Sequence, residues 1–292
     1  MNNTKNNTKT TLRGLGFAKK KARPHTITVI GLSLGALVMM FPFLWGLSVS
    51  LQGPGLAFQV PAQFFKPPYV FSNYVTVFKK MNFLSYFKNS VIVSLLFILG
   101  NLFANSFIGF GFAKYKFKGA NVLFFGLLCT MMLPGNLLII PLYKMWNMVG
   151  GLDTFLPLVV PSFFGSAFNI FLMRQCFMSL PSSLYEAAII DGAKPPMIYL
   201  RVYLPLAKPT LATIAVMAFM SSWNDMFHPL IYLTSQSKYT ISLGLMYLQD
   251  AFEYNTELLM AAAMIALAPT LILYICAQKY FTGGISAGAV KG

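Results

Sequence analysis

Residues 181–193 read PSSLYEAAIIDGA, and residues 201–205 read RVYLP. This polar stretch lies between two long apolar runs, 154–173 and 209–237. It combines helix-capping residues, small residues and helix breakers in close succession, and such an order is typical of short, well-defined helices. A loose linker between membrane spans would not need these residues. We therefore expect the stretch to contact another protein.

The composition indicates an integral membrane protein. Of the 292 residues, 57% are hydrophobic and 10% are charged, whereas about a quarter of the residues of a soluble domain are charged. The net charge of +15 could suggest a nucleic-acid partner, but the basic residues precede or flank the apolar runs. That placement is typical of membrane orientation signals, so nucleic-acid binding is not expected.

The cysteines and histidines do not predict a metal site. Cys129, Cys176 and Cys276 lie in or beside apolar runs, and none has a second cysteine at C-x-x-C spacing. His25 and His228 are isolated from each other and from the cysteines. We interpret the cysteines as small apolar residues within membrane spans.

Charge-free windows locate the spans, because a charge at the centre of a spanning helix costs about 2.5–3.5 kcal/mol. Five windows have 20 or more residues: 26–48, 89–113, 119–143, 154–173 and 258–278. The first exceeds the apolar core of a cleavable signal peptide, about 7–15 residues, and is interpreted as an uncleaved span. A sixth run, 209–237, is interrupted only by Asp225. The predicted fold is all-α, with six transmembrane helices over residues 26–281.

The distribution of basic residues predicts the orientation of the spans. With a cytoplasmic N-terminus, sixteen lysines and arginines fall on the cytoplasmic side and six on the outside. Both termini are therefore predicted to be cytoplasmic, namely a basic segment at 1–25 and a flexible tail at 282–292. The loop at about 49–86 is then external, with a short helix expected at Ser72–Lys80. The polar stretch at about 179–208 is cytoplasmic.

A short helix is predicted within the cytoplasmic stretch. Ser183 and Glu186 have the spacing of a capping box, in which each side chain caps the first turn. Gly192 readily takes the left-handed conformation that ends a helix, so the helix is predicted over Leu184–Asp191. Two turns are too few for a helix to be stable alone in water. We therefore expect packing to hold it in place.

A second short helix is predicted after the prolines at 195–196, because proline is accepted at the first helical position. The Leu-Pro pair at 204–205 and the later Pro209 are expected to break the chain before the fifth span. The cytoplasmic stretch would then consist of two short helices at an angle, lying across the cytoplasmic face of the spans.

The residues of this stretch resemble a known family motif. The pattern begins with EAA at 186–188, continues after three residues with Gly192, and ends after nine more with V-x-L-P at 202–205. It resembles the EAA loop of ABC importer permeases, with valine in place of the usual isoleucine. Residues 221–231 and 278–292 are similar to the maltose-type, carbohydrate-uptake branch of that family. The resemblance covers roughly residue 26 to the C-terminus.

The resemblance implies a type I ABC importer permease with a coupling helix. In that family the EAA helix docks into a groove on a cytoplasmic ATPase subunit, which implies coupling contacts at Glu186, Ala187, Ala188, Asp191 and Gly192. Glu186 thus has two compatible interpretations, as the capping carboxylate and as a contact to the ATPase. The matching tail of the family reaches the same interface, which implies contacts at Gly288, Lys291 and Gly292.

The resemblance also implies an assembly in a bacterial cell membrane. Its expected partners are a second homologous permease, two ATPase subunits, an external solute-binding protein and the membrane lipid, with a sugar or oligosaccharide as substrate. The chain has no G-x-x-x-x-G-K-[ST] phosphate loop. We therefore expect no enzymatic activity and no cofactor in this chain, and expect ATP and Mg on the partner ATPase subunits.

Trp223, Asn224 and Asp225 form the candidate substrate path. Asp225 is the only acid deep in a predicted span, and an ionisable residue within the membrane is a functional hypothesis by default. Alternatively, it lies near the outer interface and pairs with Asn224 or His228. Trp223 could stack on a sugar ring or belong to an interfacial aromatic belt. The substrate site could also lie mostly in the second permease.

An ion- or proton-coupled secondary transporter is the main alternative function. Such transporters usually need several ionisable residues within the membrane, whereas this chain has Asp225 alone. A channel or a scaffold protein would not account for the two short cytoplasmic helices. The sequence therefore favours the permease of an ATP-driven importer.

Overall fold

The computed structural model describes residues 26–59, 61, 64–80, 82–251 and 255–288, and all regular structure in these ranges is helical. The basic segment 1–25 lies outside them. The predicted all-α fold is thus confirmed over the described ranges. The α-helices are α1 (Thr26–Ser50), α2 (Ser72–Lys80), α3 (Phe83–Lys114), α4 (Ala120–Cys129), α5 (Ile139–Met148), α6 (Leu156–Val159), α7 (Ala167–Ser179), α8 (Ser183–Ile190), α9 (Pro195–Ile198), α10 (Leu204–Leu206), α11 (Lys208–Trp223), α12 (Phe227–Tyr232), α13 (Ile241–Ala251) and α14 (Thr256–Gly288).

The chain divides into two compact units, with the boundary between Leu44 and Trp45. The described part of the first unit is most of α1, and its residues 26–43 are all exposed. These residues are almost all apolar, and a helix that is apolar all round is typical of a membrane span. At 25 residues, α1 is long enough to cross a hydrocarbon core of about 30 Å.

Helix α3 is central to the second unit, where it packs along α7 and α11. Glycine allows a close approach: a Cβ added at Gly109 would lie 2.7 Å from the Cβ of Met173 in α7. A buried amide also joins the two helices, since Asn105 Oδ1 accepts a hydrogen bond from the Ser166 amide at 2.8 Å. Small residues and polar pairs at helix contacts are typical of packing within membranes.

Four helical stretches are each long and apolar enough to cross a membrane: Thr26–Ser50, Phe83–Lys114, Leu156–Ser179 and Thr256–Gln278. Two more candidates qualify only when a bent pair of helices counts as one span. These pairs are Ala120–Met132 with Gly135–Met148, bent by 92°, and Pro195–Leu206 with Lys208–Trp223, bent by 79°. The described residues therefore contain four candidate spans, or up to six with the bent pairs.

Two of the predicted spans are interrupted, and for the first of them proline within the window 119–143 predicts a kink. The window 119–143 bends at Leu133 and Pro134, which take extended conformations, and Pro134 cannot donate the amide hydrogen bond that a helix needs. In the window 209–237, α11 ends at Trp223 and α12 begins only at Phe227. The first window stays apolar across its break, whereas the second break contains Asn224 and Asp225.

The segment between α1 and α3 folds back onto the end of α1. Its helix α2 has the predicted bounds, Ser72–Lys80. Asn73 Nδ2 donates to the carbonyl oxygens of Ser50 at 2.9 Å and Gln52 at 2.8 Å. One buried amide group therefore satisfies a free carbonyl at the helix end and another in the loop that follows.

Helix α14 continues to Gly288, so residues 282–288 of the tail predicted to be flexible are helical. That prediction rested on the glycines at 283–284, each of which costs about 1 kcal/mol relative to alanine in a helix. The cost does not end a helix of 33 residues, because propagating an existing helix adds a hydrogen bond for each residue fixed. Lys291 and Gly292 lie outside the described residues.

Candidate functional site

We call the polar stretch at about 179–208 the EAA stretch. Its first helix is α8, Ser183–Ile190, which is shifted by one residue from its predicted bounds. The predicted capping box is not formed, since Ser182 is the N-cap residue and no side chain caps the helix. Backbone bonds close the first turn, with the amides of Tyr185 and Glu186 donating to the Ser182 carbonyl at 2.9 and 3.1 Å. Ser183 therefore lies inside the helix, and the Glu186 side chain is exposed.

The predicted helix stop at Gly192 is confirmed. Its φ is +77°, in the left-handed region that glycine adopts without steric cost. The Gly192 amide donates to the Ile189 carbonyl at 2.9 Å, and the Ala193 amide donates to the Ala188 carbonyl at 2.9 Å. These two bonds form a Schellman motif, which fixes the direction in which the chain leaves α8.

Only one side of helix α8 contacts the rest of the second unit. Ala188 is buried and Tyr185 is half-buried, whereas Leu184, Ile189 and Ile190 are exposed. Ile190 is the most accessible, at 85%. Clustered apolar side chains on an exposed surface mark a contact for another molecule. The outward side of α8 is therefore a candidate docking surface.

Aromatic rings join α8 to the spanning helices, and we call Phe110, Phe177, Tyr185, Tyr199 and Tyr203 the aromatic cluster. Tyr203 is fully buried, and its ring centroid lies 5.3 Å from that of Phe110 in α3, 5.9 Å from Phe177 in α7 and 6.3 Å from Tyr185 in α8. Because protein interiors are close-packed and resist compression, a displacement of α8 would be transmitted to α3 and α7 through this ring.

Tyr199 anchors the EAA stretch to α3 by a polar contact. Its hydroxyl lies 2.7 Å from Ser106 Oγ, and its ring centroid lies 5.2 Å from that of Phe110. Tyr203, four residues after Tyr199, was not among the functional residues predicted from the sequence. This spacing, which places two aromatic residues on one side of a helix, is the signal that could have identified it.

The break predicted around Leu204-Pro205 and Pro209 is confirmed, but it lies between the two prolines rather than at the Leu-Pro pair. Both residues of that pair belong to α10, and the bend occurs at Ala207, between α10 and α11. Residues Tyr199–Tyr203 form a π-helical turn just before Pro205. This wider turn accommodates the proline ring, which in an α-helix would clash with the carbonyl of the fourth residue before it. The chain thus remains helical from Pro195 to the bend.

Asp225 lines a cavity of about 200 Å³ in the second unit, together with Ser221, Ser222, His228, Tyr232 and Trp146 among others. Of the two partners predicted for Asp225, the structure pairs it with His228. Its Oδ2 lies 2.9 Å from His228 Nδ1, and its Oδ1 accepts from the His228 amide at 3.2 Å. A carboxylate, hydroxyls and aromatic rings around one small cavity are groups suited to a polar organic ligand.

The other two residues of the predicted substrate path do not line this cavity. Trp223 is buried, its Nε1 donates to the Ala266 carbonyl at 3.0 Å, and its ring stacks on Phe219 with centroids 5.3 Å apart. Asn224 is exposed, and its side-chain amide donates to the Met220 carbonyl within the same helix at 2.9 Å. Trp223 therefore acts in the structure as a core residue, with no free face for a sugar ring.

Asp153, which was not predicted from the sequence, holds one wall of the cavity in place. Its carboxylate accepts from the amides of Thr234 at 3.0 Å and Ser235 at 2.9 Å, and from the Ser235 hydroxyl at 2.6 Å. Its own amide donates to the carbonyl of Tyr232 at 2.8 Å, a residue of the cavity wall. The φ of Asp153 is +54°, which a non-glycine residue adopts only when its surroundings compensate for the strain.

The described ranges contain no group of three or more His, Cys, Asp or Glu side chains placed to hold a metal ion. Cys129, Cys176 and Cys276 are free thiols. Gly288 is the last residue of α14, and the other two predicted tail contacts are not described. The described geometry therefore offers two features for function, the docking surface on α8 and the cavity at Asp225.

The sequence matches one protein family, described as binding-protein-dependent transport system inner membrane component, over residues 105–286. Among similar proteins is the arabinooligosaccharides transport system permease protein AraQ of Bacillus subtilis, 33% identical over 76% of this chain and 79% of AraQ. The lactose transport system permease protein LacG of Rhizobium radiobacter is 30% identical over 93% of this chain and 98% of LacG. The trehalose/maltose transport system permease protein MalG of Thermococcus litoralis is 29% identical over 94% and 99%.

A solved structure has the same fold. It is a bacterial ABC transporter involved in the import of the acidic polysaccharide alginate, and one of its chains aligns with a TM-score of 0.77 and 26% identity, covering 87% of this chain and 95% of that chain. A complex of the alginate transporter with a periplasmic protein bound to an alginate pentasaccharide aligns with a TM-score of 0.56 at 19% identity, which shows the likeness of fold alone.

The matched region, 105–286, includes α8, the bend at Ala207 and the residues around Asp225. The named relatives are permease proteins, so the chain is a non-catalytic membrane component, and the alternative of an ion-coupled secondary transporter finds no support. The chain belongs to the family of binding-protein-dependent transport system inner membrane components.

Proposed function

We propose that this chain is a permease subunit of an ATP-driven importer of a sugar or an oligosaccharide. The observation that carries the proposal is the exposed, two-turn helix α8, which is terminated by Gly192. A permease that does not hydrolyse ATP itself needs a surface on which an ATPase subunit can dock, and α8 offers that surface. The substrate class is supported by the names of relatives that transport arabinooligosaccharides, lactose and trehalose or maltose. Helix α8 thus supports ATP hydrolysis as the energy source, and the relatives support a sugar or an oligosaccharide as the substrate.

Coupling to ATP hydrolysis is proposed to occur through α8. The exposed residues of this helix would dock into a groove on an ATPase subunit, with contacts at Glu186, Ala187, Ala188, Asp191 and Gly192. Glu186 and Ala187 are exposed, and Ala188 lies on the buried side, so Ala188 would set the close packing beneath the contact. The aromatic cluster would then carry the motion of α8 to α3 and α7.

The proposed topology has six spans and both termini in the cytoplasm. The spans would be α1, α3, the bent pair α4–α5, the stretch 156–179, the pair α11–α12 and α14. The distribution of basic residues supports this orientation. The EAA stretch would then lie at the cytoplasmic surface, and α2 with its preceding loop would lie outside. Such an arrangement belongs to a multi-pass protein of the bacterial cell membrane.

The proposed assembly contains a second permease, two ATPase subunits that bind ATP and Mg, and an external solute-binding protein. One structural relative is an alginate transporter in complex with a periplasmic protein, which supports a solute-binding partner. The C-terminal residues Gly288, Lys291 and Gly292 are proposed to reach the ATPase interface. This chain itself would hold no cofactor.

The substrate path is proposed to pass the cavity at Asp225. A carboxylate paired with an imidazole can accept hydrogen bonds from sugar hydroxyls, and both groups line the cavity. Asn224 is exposed next to the cavity-lining Asp225, and Trp223 would support this region from the core. The second permease would complete the path, because about 200 Å³ is smaller than the usual ligand site of about 300–1,000 Å³.

The proposal is tested by reconstituting the chain with its partner permease, ATPase and binding protein in proteoliposomes. Radiolabelled maltose, lactose and arabinooligosaccharides are supplied with the binding protein on one side and ATP on the other. Uptake of at least one of them that depends on ATP and on the binding protein is expected. Uptake by the chain alone, driven by a proton gradient, would instead establish the secondary transporter.

A further inference from the structure

A groove between α3 and the EAA stretch is not used by the importer function. It has a volume of about 610 Å³ and almost entirely apolar walls, with Phe103, Phe107 and Gly111 of α3 and Pro196 and Leu200 of the EAA stretch among its lining residues. Phe103 and Phe107 are 61% and 58% exposed, and their rings are stacked with centroids 6.1 Å apart. The volume is that of a site for a small organic molecule.

A second pocket of different character adjoins the groove. The two cavities share Phe112, Tyr115 and Phe117, and the second has a volume of about 430 Å³. It is lined by Lys116, Asn121 and Arg174, none of which lines the apolar groove. The two adjoining cavities, which together we call the depression, therefore have an apolar end and a basic end.

The positive charges of the basic end are not neutralised by the protein. Arg174 Nε donates to the Phe112 carbonyl at 3.4 Å, and the guanidinium carbon lies 4.3 Å from the ring centroid of Phe124. These contacts orient the guanidinium group without cancelling its charge. Both ion pairs found in the described part of the chain lie elsewhere, so Lys116 and Arg174 have no acidic partner there.

We propose that the groove and the pocket together bind one anionic phospholipid. An acyl chain would lie along Phe103, Phe107 and Gly111, and the phosphate would lie between Lys116 and Arg174. A second protein with an apolar surface, or a lipid without net charge, would leave the two positive charges uncompensated. The charge complementarity therefore favours an anionic lipid over either of these occupants.

The membrane position of the depression is consistent with such a ligand. The inference rests on the proposed orientation, in which this end of α3 lies at the cytoplasmic leaflet, whose anionic lipids attract basic residues. Residues 114–118 read KYKFK, and aromatic residues alternating with lysines suit the level of the lipid headgroups. A lipid held here would contact Tyr199 and Leu200, which also line the groove, and would brace the EAA stretch.

The test measures the lipid retained by the purified assembly after transfer into nanodiscs of phosphatidylcholine that contain phosphatidylglycerol. Native mass spectrometry counts each bound lipid. The wild-type assembly is expected to retain phosphatidylglycerol in preference to phosphatidylcholine. Arg174→Gln and Lys116→Gln are each expected to weaken its retention about fivefold, the effect of about one basic contact. Lys144→Gln is the matched control, since this lysine is exposed and lines neither cavity.

A second pair of variants tests the apolar end without touching a charge. A Cβ added at Gly111 or at Gly126 has no atom within 4 Å, so a side chain can begin at either position without a clash. Gly111 lines the groove and Gly126 does not. Gly111→Leu is expected to reduce retention of phosphatidylglycerol and phosphatidylcholine alike, whereas Gly126→Leu is expected to leave both unchanged.

Three results would overturn the proposal. One is wild-type retention of phosphatidylglycerol by both Arg174→Gln and Gly111→Leu. Another is displacement of the lipid by inorganic phosphate alone, which would indicate a site for a free anion. The third is retention by the isolated chain but not by the assembly, which would show that another subunit covers the groove. Lipid retention is measured without any transport assay. A failure of the lipid proposal can therefore be distinguished from a failure of the proposed importer function.

Discussion

Lys238 Nζ lies 2.9 Å from Asp153 Oδ2, although the two residues are separated by 85 positions in the sequence. The ion pair joins the loop before α6 to the loop after α12. Asp153 also holds the backbone of Tyr232, whose side chain lines the cavity at Asp225. Asp153 therefore holds the cavity wall through its backbone amide, while its carboxylate fixes the loop after α12 that follows Tyr232.

Replacing Asp153 by asparagine removes the charge and keeps the shape. Asp153→Asn is expected to lower the stability of the purified assembly by about 1–2 kcal/mol, because charge-assisted hydrogen bonds are lost at a partly exposed site. The measurement is the apparent Tm in detergent. Lys144→Gln is the control, since Lys144 is exposed and its substitution should leave Tm unchanged.

The effect of Asp153→Asn is expected to depend on pH. Hydrogen bonds from the Ser235 hydroxyl, the Ser235 amide and Lys238 hold the pKa of the Asp153 carboxyl well below its ordinary value. A lowered pKa stabilises the fold above the ordinary aspartate value of about 3.9, and that contribution is lost as the pH falls through the lowered pKa. The difference in Tm from wild type should be full at pH 7 and shrink below about pH 4. A difference that does not change with pH would contradict this explanation.

Asp225→Asn is expected to raise the KM of uptake about tenfold, because a hydrogen bond to a charged group contributes about 1.5–3 kcal/mol. Stability should change little, since the side chain lies at a cavity. Asn147→Ala, at an exposed residue that does not line the cavity, is the control and should leave KM unchanged. Trp223→Phe should instead lower Tm through loss of the bond to Ala266, without changing KM. An unchanged KM in Asp225→Asn would place the substrate site in the second permease.

Two tyrosines of the aromatic cluster are expected to respond differently to the loss of a hydroxyl group. The Tyr203 hydroxyl is buried and makes no hydrogen bond within the described structure, so Tyr203→Phe should be neutral or slightly stabilising. Tyr199→Phe breaks the contact with Ser106 and should cost about 0.5–1.5 kcal/mol. Apparent Tm values ranked in the opposite order would contradict the described packing.

The parts of the fold that local signals specify could be predicted from the sequence. Gly192 marked the end of α8, which lies within one residue of its predicted bounds, and α2 was predicted without error. The EAA pattern led to the correct family. These features depend on neighbouring residues alone, since a glycine stop and a short amphipathic helix need no distant partner.

Features that depend on distant contacts could not be predicted. Trp223 resembled a sugar-stacking residue until its bond to Ala266, 43 positions away, placed it in the core. Asp153 resembled an ordinary loop residue because its partners follow more than 80 positions later. The capping box failed for a different reason, since a shift of the helix start by one residue moved Ser183 off the cap.

The central claim is that α8, which is terminated by Gly192, transmits the motion driven by ATP hydrolysis to the membrane-spanning helices. Gly192 has a positive φ and open space around it, so a side chain there causes backbone strain without a clash. A left-handed conformation costs most residues about 1–2 kcal/mol, whereas asparagine tolerates it better. Gly192→Asn is therefore the matched control for Gly192→Leu.

The most direct measurement records uptake and ATP hydrolysis on the same proteoliposomes for wild type, Gly192→Asn and Gly192→Leu. Gly192→Leu is expected to insert and assemble normally but to transport about tenfold less substrate for each ATP hydrolysed, the effect of about 1.4 kcal/mol of strain. Gly192→Asn is expected to lie close to wild type. Wild-type uptake for each ATP in Gly192→Leu would contradict the coupling role of α8.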